Sequence, residues 1–159
     1  MNFRLPKIAF PLAVLLCINT AISCKQMDVY EKNTPIPHYK WQDQFRINGT
    51  FTITDTVPVY NIYMILRHTD AYQYNNIWLN IGLQAPGDTM YFQKLNLVLA
   101  SDATCWEGSG MNDIWEVRKI ISTRRFSKKG EYVFRIGHIM RDNPLPGIIS
   151  AGIRVQKAE

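Results

Sequence analysis

Cysteine is too scarce in this chain to cross-link it extensively: the 159 residues contain three, Cys17, Cys24 and Cys105. Small secreted domains that depend on disulfides carry dense sets of cysteines at paired spacings. Three cysteines do not supply such a framework, which excludes the disulfide-scaffolded class. The stability of the folded chain must therefore come from an apolar core.

The chain also lacks a strong charge excess and a long uninterrupted apolar segment. Its 18 basic and 13 acidic residues give a net charge of +5, which is too mild to indicate nucleic-acid binding. The apolar run at residues 8–18 is broken by Pro11, and it is shorter than the roughly 20 apolar residues of a transmembrane helix. A permanent membrane-spanning helix is therefore not predicted at this end of the chain.

The N-terminus instead has the order of a secretory signal followed by a lipidation site. Two basic residues precede the apolar run, and small residues flank Ile22 directly before Cys24, which is the sequence of regions in a signal peptide. Residues 21–24 resemble the bacterial lipobox, in which the cysteine thiol is alkylated with diacylglycerol before cleavage. We therefore predict residues 1–23 as a cleaved signal peptide and Cys24 as the lipidated first residue. The alternative is an ordinary signal peptide that is cut near Ser23.

One domain is predicted after a short tether. Residues 24–40 are polar, contain Pro35 and Pro37, and show neither a helical stripe nor a sustained alternation, which is typical of a linker. We interpret them as a lipidated N-terminus and tether. Residues 41–159 are interpreted as a single domain, because their number is close to the usual domain length of ~100–150 residues.

Short apolar clusters bounded by glycine, proline, asparagine or aspartate predict β-strands throughout this domain. One segment, at residues 113–121, also fits a helix, but its β-branched residues favour a strand. The predicted strands lie at residues 51–53, 59–68, 76–84, 95–99, 113–121, 131–140 and 152–157. Because no helices separate them, we predict an all-β fold, an antiparallel β-sandwich of jelly-roll type.

Aromatic residues that fall opposite the buried side of a strand are candidates for a binding surface. In residues 76–84, Ile77 and its alternating neighbours are predicted to face inward, whereas Trp78 faces outward. Trp78, Trp106 and Tyr74 are our candidates for contact with a partner protein or a glycan, since exposed aromatic rings serve both kinds of ligand. The alternative is that these rings fill the ends of the core.

A series of short motifs between residues 41 and 155 resembles the GldH family, lipoproteins named for gliding motility in Bacteroidetes. The motifs occur in the family's order and spacing behind the lipobox. They are YNNIWL at 74–79, PGDT at 86–89, a tryptophan with GSG at 106–110, GEYVF at 130–134, HIMR at 138–141, LPGI at 145–148 and AGIRV at 151–155. The resemblance implies an outer-membrane-associated accessory protein of the gliding machinery. The family has no known catalytic residues to carry over, and only Cys24 transfers with a stated role.

We therefore predict a non-enzymatic lipoprotein that is held to the membrane by acyl chains on Cys24. Its expected partners are other cell-envelope proteins of a gliding-type or secretion-type complex, which it would bind by protein–protein docking. Lys25 replaces the aspartate that favours retention in the inner membrane, and no acidic run follows, so we expect the periplasmic face of the outer membrane. The alternative function is a glycan-binding β-sandwich module at the cell envelope.

No pattern in the chain organises a metal or catalytic site. His38, His68 and His138 lack the paired spacing of zinc ligands, and His138 is predicted to lie in the core. A Cys105 nucleophile would need His68 or His138 as a base within hydrogen-bond reach, whereas a partly buried thiol is the simpler expectation. We predict no metal and no cofactor, and we keep a hydrolase built on Cys105 as a rival hypothesis.

Two aspartate-threonine-aliphatic triplets, at residues 55–57 and 88–90, resemble the acceptor of periplasmic O-glycosylation in Bacteroidetes. Both triplets lie at predicted turns or strand ends, where a glycan has room. Thr56 and Thr89 are therefore candidate O-glycosylation sites.

Overall fold

The computed structural model describes residues 28–102 and 105–158. Within these ranges the chain forms strands and one short 3-10 helix, Pro37–Tyr39. The strands are β1 (Asp28–Pro35), β2 (Lys40–Trp41), β3 (Ile47–Ile53), β4 (Tyr60–Thr69), β5 (Asn76–Gln84), β6 (Tyr91–Val98), β7 (Ala100–Asp102), β8 (Cys105–Trp106), β9 (Ser109–Met111), β10 (Ile114–Arg124), β11 (Gly130–His138), β12 (Leu145–Pro146) and β13 (Ile148–Lys157). None of the described helices is long and apolar enough to cross a bilayer. The predicted signal peptide and Cys24 lie outside the described residues.

The eight longest strands form two antiparallel sheets. One sheet has the order β1-β13-β4-β10, with β9 added beside β10, and the other has the order β3-β11-β5-β6. When these eight strands are numbered among themselves along the chain, the two orders become 1-8-3-6 and 2-7-4-5, which is the arrangement of a jelly roll. The predicted all-β antiparallel sandwich is therefore confirmed.

The core lies between the two sheets, and the alternation seen in the sequence decides which side chains enter it. On β5, Ile77 and Leu79 are fully buried while Trp78 is 42% exposed, as the period of two predicts. At one end of the sandwich four aromatic rings pack with centroids 4.7 to 5.7 Å apart, and they belong to Phe51, Tyr60, Phe126 and Tyr132. Such aromatic pairs add to the apolar area that holds the sheets together.

The tether prediction was wrong for residues 28–35, because this segment is an edge strand of the larger sheet. It pairs antiparallel with β13 along its length. The ring of Tyr30 enters the sandwich, with centroids 5.9 Å from those of both Phe51 and Phe134. An edge strand that contributes one large ring to the core shows little hydrophobic alternation, so the sequence pattern did not reveal it. The segment between Cys24 and β1 lies outside the described residues.

The remaining comparisons between prediction and structure concern the strands β6 and β10. β6 begins at Tyr91, four residues before the predicted strand at 95–99. The prediction missed this start because the first four residues of β6 are all exposed and show no alternation of burial. The ambiguous segment 113–121 is a strand, β10, as predicted, and a bulge between Ile120 and Ser122 interrupts its pairing with β4. β5 and β6 form an antiparallel hairpin around the turn at residues 86–88.

Candidate functional site

The outer face of the larger sheet carries charges that pair with one another. Glu116 accepts hydrogen bonds from Arg67 at 2.5 Å and from Arg118 at 2.6 Å. Glu31 lies 3.5 Å from Arg118 and 3.4 Å from Arg154. Burial alone would raise the pKa of Glu116, but the hydrogen bonds from the two arginines outweigh it and the pKa is lowered. This face therefore satisfies much of its own charge.

The outer face of the smaller sheet has a different composition, and we call it the tryptophan face. On β5 it presents Trp78 and Asn80, and register pairing brings Asn96 and Lys94 of β6 opposite them. Gly82 on β5 lies opposite Phe92, and β11 adds Arg135 beside Gly82. Trp78 and Phe92 are both 42% exposed. The tryptophan face thus combines exposed aromatic rings, amides and cations.

Two glycines allow long side chains to lie flat on this face. A Cβ on Gly82 would come 2.7 Å from the ring of Phe92, and a Cβ on Gly137 would collide with the guanidinium group of Arg46. The Arg135 guanidinium is fixed by a 3.0 Å hydrogen bond that it donates to the side-chain oxygen of Asn48. The sequence pattern does not single out Arg46, Phe92 or Arg135. Alternation places Arg135 outward, but no motif distinguishes it from an ordinary solvated side chain.

A shallow pocket lies at the end of the tryptophan face that is nearest to Trp78. It has a volume of about 350 Å³ and is lined by Tyr74, Trp78, Ile139, Met140 and Arg141. The Tyr74 hydroxyl donates a 2.6 Å hydrogen bond to Asp142, which raises the pKa of Tyr74. Two of the three predicted contact residues, Tyr74 and Trp78, therefore lie together at one accessible site.

Trp106, the third predicted contact residue, does not line this pocket. Its indole is half-buried and packs edge-on against the imidazole of His68, with ring centroids 4.5 Å apart. Tyr72, which is buried, connects the two regions because its ring lies 6.4 Å from Trp106 and 5.7 Å from Tyr74. Trp106 thus belongs to an aromatic cluster with His68 and Tyr72 rather than to the lining of the pocket.

The buried histidines are packed as core residues. His68 is 0% exposed and His138 is 1% exposed, and burial lowers the pKa of both. The Nδ1 atom of His68 lies 2.9 Å from the carbonyl oxygen of Thr69, and the ring of His138 packs against Trp41. Cys105 is exposed, so the expectation of a partly buried thiol was wrong. On the two-residue strand β8 the half-buried side chain is that of Trp106, and the thiol takes the opposite, exposed side.

The candidate metal ligands and the candidate nucleophile all lie in the part of the chain that the structure describes. Within residues 28–102 and 105–158, no group of three or more histidine, cysteine, aspartate or glutamate side chains is arranged to hold a metal ion. Since His68 and His138 are buried while Cys105 is exposed, the thiol and the imidazoles occupy different environments. A thiolate that reacts through a histidine base needs both groups within hydrogen-bond reach at an accessible site.

The two threonines of the predicted glycosylation triplets lie in loops. Thr56 is half-buried in the connection between β3 and β4, where the Asp55 carboxylate accepts a 3.0 Å hydrogen bond from the backbone N–H of Val57. Thr89 is exposed in the connection between β5 and β6. Thr89 is therefore the more accessible of the two hydroxyls.

Comparison with known proteins gives consistent matches over most of the chain. The model of a family described as "GldH lipoprotein" matches residues 28–155. A "Gliding motility lipoprotein GldH homolog" of Christiangramia forsetii is 24% identical over 145 residues, which cover 86% of this chain and 88% of that protein. The "Gliding motility lipoprotein GldH" of Flavobacterium johnsoniae is 22% identical over 153 residues, which cover 92% and 95%. The match includes strand β1, which we had interpreted as tether.

Proposed function

Because this chain belongs to the GldH lipoprotein family, we propose that it is a membrane-anchored accessory protein of a gliding-type machinery and binds partner proteins on its tryptophan face. The observation that carries the proposal is Trp78, an indole that is 42% exposed at the rim of a pocket. Tryptophan, tyrosine and arginine are the residues that most often dominate protein–protein binding energy. Tyr74, Trp78 and Arg141 all line this pocket.

The charge distribution supports the choice of this face over the opposite one. On the larger sheet, Glu31 and Glu116 already pair with arginines. On the tryptophan face, Arg46, Lys94 and Arg135 lie beside exposed aromatic rings. Such a combination of aromatic anchors with surrounding charges is typical of a protein interface, where the charges contribute to specificity and to the rate of association.

The anchor that we propose is acyl chains on Cys24. Three residues separate Cys24 from the start of β1 at Asp28, so the lipid and the domain would be at most roughly 14 Å apart along an extended chain. A single acyl chain gives only marginal attachment, and stable anchoring needs at least two hydrophobic signals. We propose attachment at the periplasmic face of the outer membrane, where a short connection would keep the domain close to the bilayer.

A glycan is the second candidate ligand of the tryptophan face. The exposed indole of Trp78 has Asn96 opposite it on β6, and Asn80 and Lys94 form the next pair along the sheet. An aromatic ring that stacks on a sugar, flanked by amide groups that bind its hydroxyls, is suited to glycan recognition. Quenching of tryptophan fluorescence during a titration with glycans separates this candidate from protein docking.

An affinity pull-down tests the docking proposal. The lipidated protein, carrying a C-terminal tag, is captured from detergent-solubilised outer membranes, and the co-purified proteins are identified by mass spectrometry. We expect gliding or secretion components to be enriched over a control with an unrelated tagged lipoprotein. Recovery of the lipoprotein alone from correctly fractionated membranes would contradict protein docking and favour the glycan ligand.

O-glycosylation at Thr56 or Thr89 is a separate proposal about processing. It is supported by the loop positions of both hydroxyls and by the exposure of Thr89. The intact mass of the exported protein should exceed that of the lipidated polypeptide, and Thr89→Val should remove the excess if Thr89 carries the glycan. A mass equal to that of the lipidated polypeptide alone would exclude the modification.

A further inference from the structure

Two strand edges face each other on the side of the sandwich opposite to β1. One edge is β6, which pairs only with β5 in the described part of the chain, and the other is β10, which beyond Glu116 pairs only with β4. At one end of this side the Lys119 ammonium donates a 2.7 Å hydrogen bond to the carbonyl oxygen of Val98 and connects the two edges. Further along, towards Tyr91 and Arg124, a pocket opens between the sheets.

This pocket is apolar and reaches the core. Its volume is about 140 Å³, which is close to the roughly 150 Å³ of an engineered apolar cavity that binds benzene. Core side chains from both sheets form its walls, namely Phe51, Ile62, Ile81, Leu83, Leu95, Ile121, Phe134 and Ile153. Arg124 is the one charged residue among the described residues that line it. The pocket therefore has room for a single aliphatic or aromatic side chain near a cation.

Among the described residues, the backbone of β6 has hydrogen-bonding groups along this opening that are not used in pairing. Within a strand the N–H and C=O groups of one residue point to the same neighbouring strand, and the direction alternates from residue to residue. The N–H of Ile139, which follows β11, donates to the carbonyl oxygen of Trp78 at 2.9 Å. The backbone N–H and C=O groups of Trp78 therefore point away from β6, and those of its neighbours Ile77 and Leu79 point towards β6.

It follows which residues of β6 face the open edge. The residues of β5 whose N–H and C=O groups point towards β6 pair with Leu97, Leu95, Gln93 and Tyr91. The intervening residues Phe92, Lys94 and Asn96 therefore direct their N–H and C=O groups away from β5. The bond from Lys119 to the carbonyl oxygen of Val98 agrees with this assignment, because Val98 continues the same alternation.

We propose that the open edge of β6 binds an extended segment of a partner protein as an additional strand, with one apolar side chain of that segment in the pocket. Strand addition of this kind gains affinity from main-chain hydrogen bonds and specificity from pockets for alternate side chains. The segment carries carboxylates, which pair with Lys94 on the outer side and with Arg124 at the pocket. The nearby carboxylate of Asp88 is already bound by Lys128 at 2.7 Å.

The charge of Lys94 argues against a second copy of this chain as the occupant. Antiparallel pairing of two β6 edges would bring lysines of the two copies close together, and like charges in neighbouring positions destabilise a sheet. A lysine in an edge strand is also a common protection against edge-to-edge aggregation. An acidic partner segment meets no such repulsion. The pocket lies between the sheets and apart from the tryptophan face, and Lys94 is the one cation that the two proposals share.

A display library of random twelve-residue peptides, screened against the full-length lipidated protein in lipid nanodiscs, tests the proposal. We expect enrichment of peptides in which apolar residues alternate with other residues and a carboxylate lies near the central apolar side chain. Lys94→Pro removes the outward N–H without breaking a bond to β5, since proline is tolerated where a strand edge is open. It should weaken binding of the selected peptides at least tenfold.

Three further variants distinguish the possible outcomes of the test. Lys94→Ala retains the N–H and should weaken binding less than Lys94→Pro. Arg124→Glu should reduce the preference for acidic peptides without altering the edge. The melting temperature of each variant shows that it is folded. Trp78→Ala should leave peptide binding intact, so failure of this proposal is distinguishable from failure of the docking proposal for the tryptophan face.

Several results would overturn the proposal. One such result is that no peptides are enriched. Another is that the selected peptides bind Lys94→Pro as tightly as they bind the unmodified protein. A third is that binding of the selected peptides is lost in Trp78→Ala. Self-association of the protein that Lys94→Pro abolishes would identify a second copy as the occupant. Lipid retained in the pocket and released by Leu95→Trp, without peptide binding, would identify an acyl chain.

Discussion

The indole of Trp106 lies edge-on against the imidazole of His68, with the ring centroids 4.5 Å apart. Both residues also contact Tyr72, whose hydroxyl donates a 3.0 Å hydrogen bond to the carbonyl oxygen of Asn76 at the start of β5. The rings therefore connect the two-residue strand β8 to the strand that carries Trp78. We therefore expect Trp106 to contribute to the stability of the fold around this site.

Replacing Trp106 by alanine should destabilise the protein, whereas the same change at Trp78 should not. The half-buried Trp106 ring loses its packing against His68 and Tyr72, at a cost of about 2 kcal/mol, which is less than the cost for a fully buried aromatic ring. Loss of the exposed Trp78 ring should lower the free energy of unfolding by no more than about 0.5 kcal/mol. Urea denaturation of the two variants checks this. Equal losses of stability would contradict the distinction between the two rings.

Stability should fall as the pH drops below about 6.5, because burial lowers the pKa of His68 and of His138. In the unfolded chain both imidazoles take up protons near their ordinary pKa of about 6.5, whereas the folded state binds them only at a lower pH. The unfolded state therefore gains protons first, and the folded state loses stability between about pH 6.5 and the lower folded-state pKa. At pH 8 this contribution to stability is complete.

Unfolding measured between pH 8 and pH 5.5 checks the histidine prediction. His138→Phe should reduce the slope of stability against pH. Tyr72→Phe is the matched control, since burial raises the pKa of Tyr72 far above this range, and it should lower stability without changing the slope. A flat profile for the unmodified protein would show that the buried histidines do not govern its acid sensitivity.

Gly152→Ala should detach β1 from β13. A Cβ at Gly152 would collide with the carbonyl oxygen of Lys32 and come 2.7 Å from the Cα atom of Asn33, and backbone atoms yield less readily than side chains. We expect a loss of about 2 kcal/mol, as for other overpacked sites, and faster amide exchange in β1. Gly87→Ala is the control. Gly87 has a positive φ, but a Cβ added there would have no atom within 4 Å, so amide exchange in β1 should be unchanged. Unchanged exchange in Gly152→Ala would contradict the close approach.

The strands that could be predicted from the sequence are those with one buried side. In β5 and β11 the inward positions are apolar for most of the strand, so their period of two fixes both the strand and the exposed position of Trp78. β1 could not be predicted, because its polar residues are held by pairing with β13, more than a hundred residues away. Pairing over such a distance leaves no trace in local periodicity.

The site was predictable to the extent that it depends on alternation. Trp78 follows the alternation of β5, but β8 has only two residues, which is too short for any pattern to show which side of Trp106 is buried. The open edge of β6 depends on the sheet order and on the direction of its N–H groups. Both follow from long-range pairing, and neither could be read from the sequence.

Cys24→Ser should release the protein from the membrane into the soluble periplasmic fraction, because a thioether to diacylglycerol needs a thiol. Cell fractionation followed by immunoblotting checks the distribution. Cys17→Ser is the matched control, since Cys17 belongs to the predicted signal peptide and should leave anchoring unchanged. Membrane-bound Cys24→Ser protein would contradict the proposed anchor.

Site-specific photo-crosslinking from position 78 tests the central proposal most directly. A photoreactive amino acid replaces Trp78 in the lipidated protein, and the same amino acid replaces Met111 as a control, because Met111 is 73% exposed on the other sheet. We expect position 78 to cross-link to a protein of the gliding or secretion machinery and position 111 to give no such product. Equal cross-linking from both positions, or none from position 78, would contradict docking on the tryptophan face.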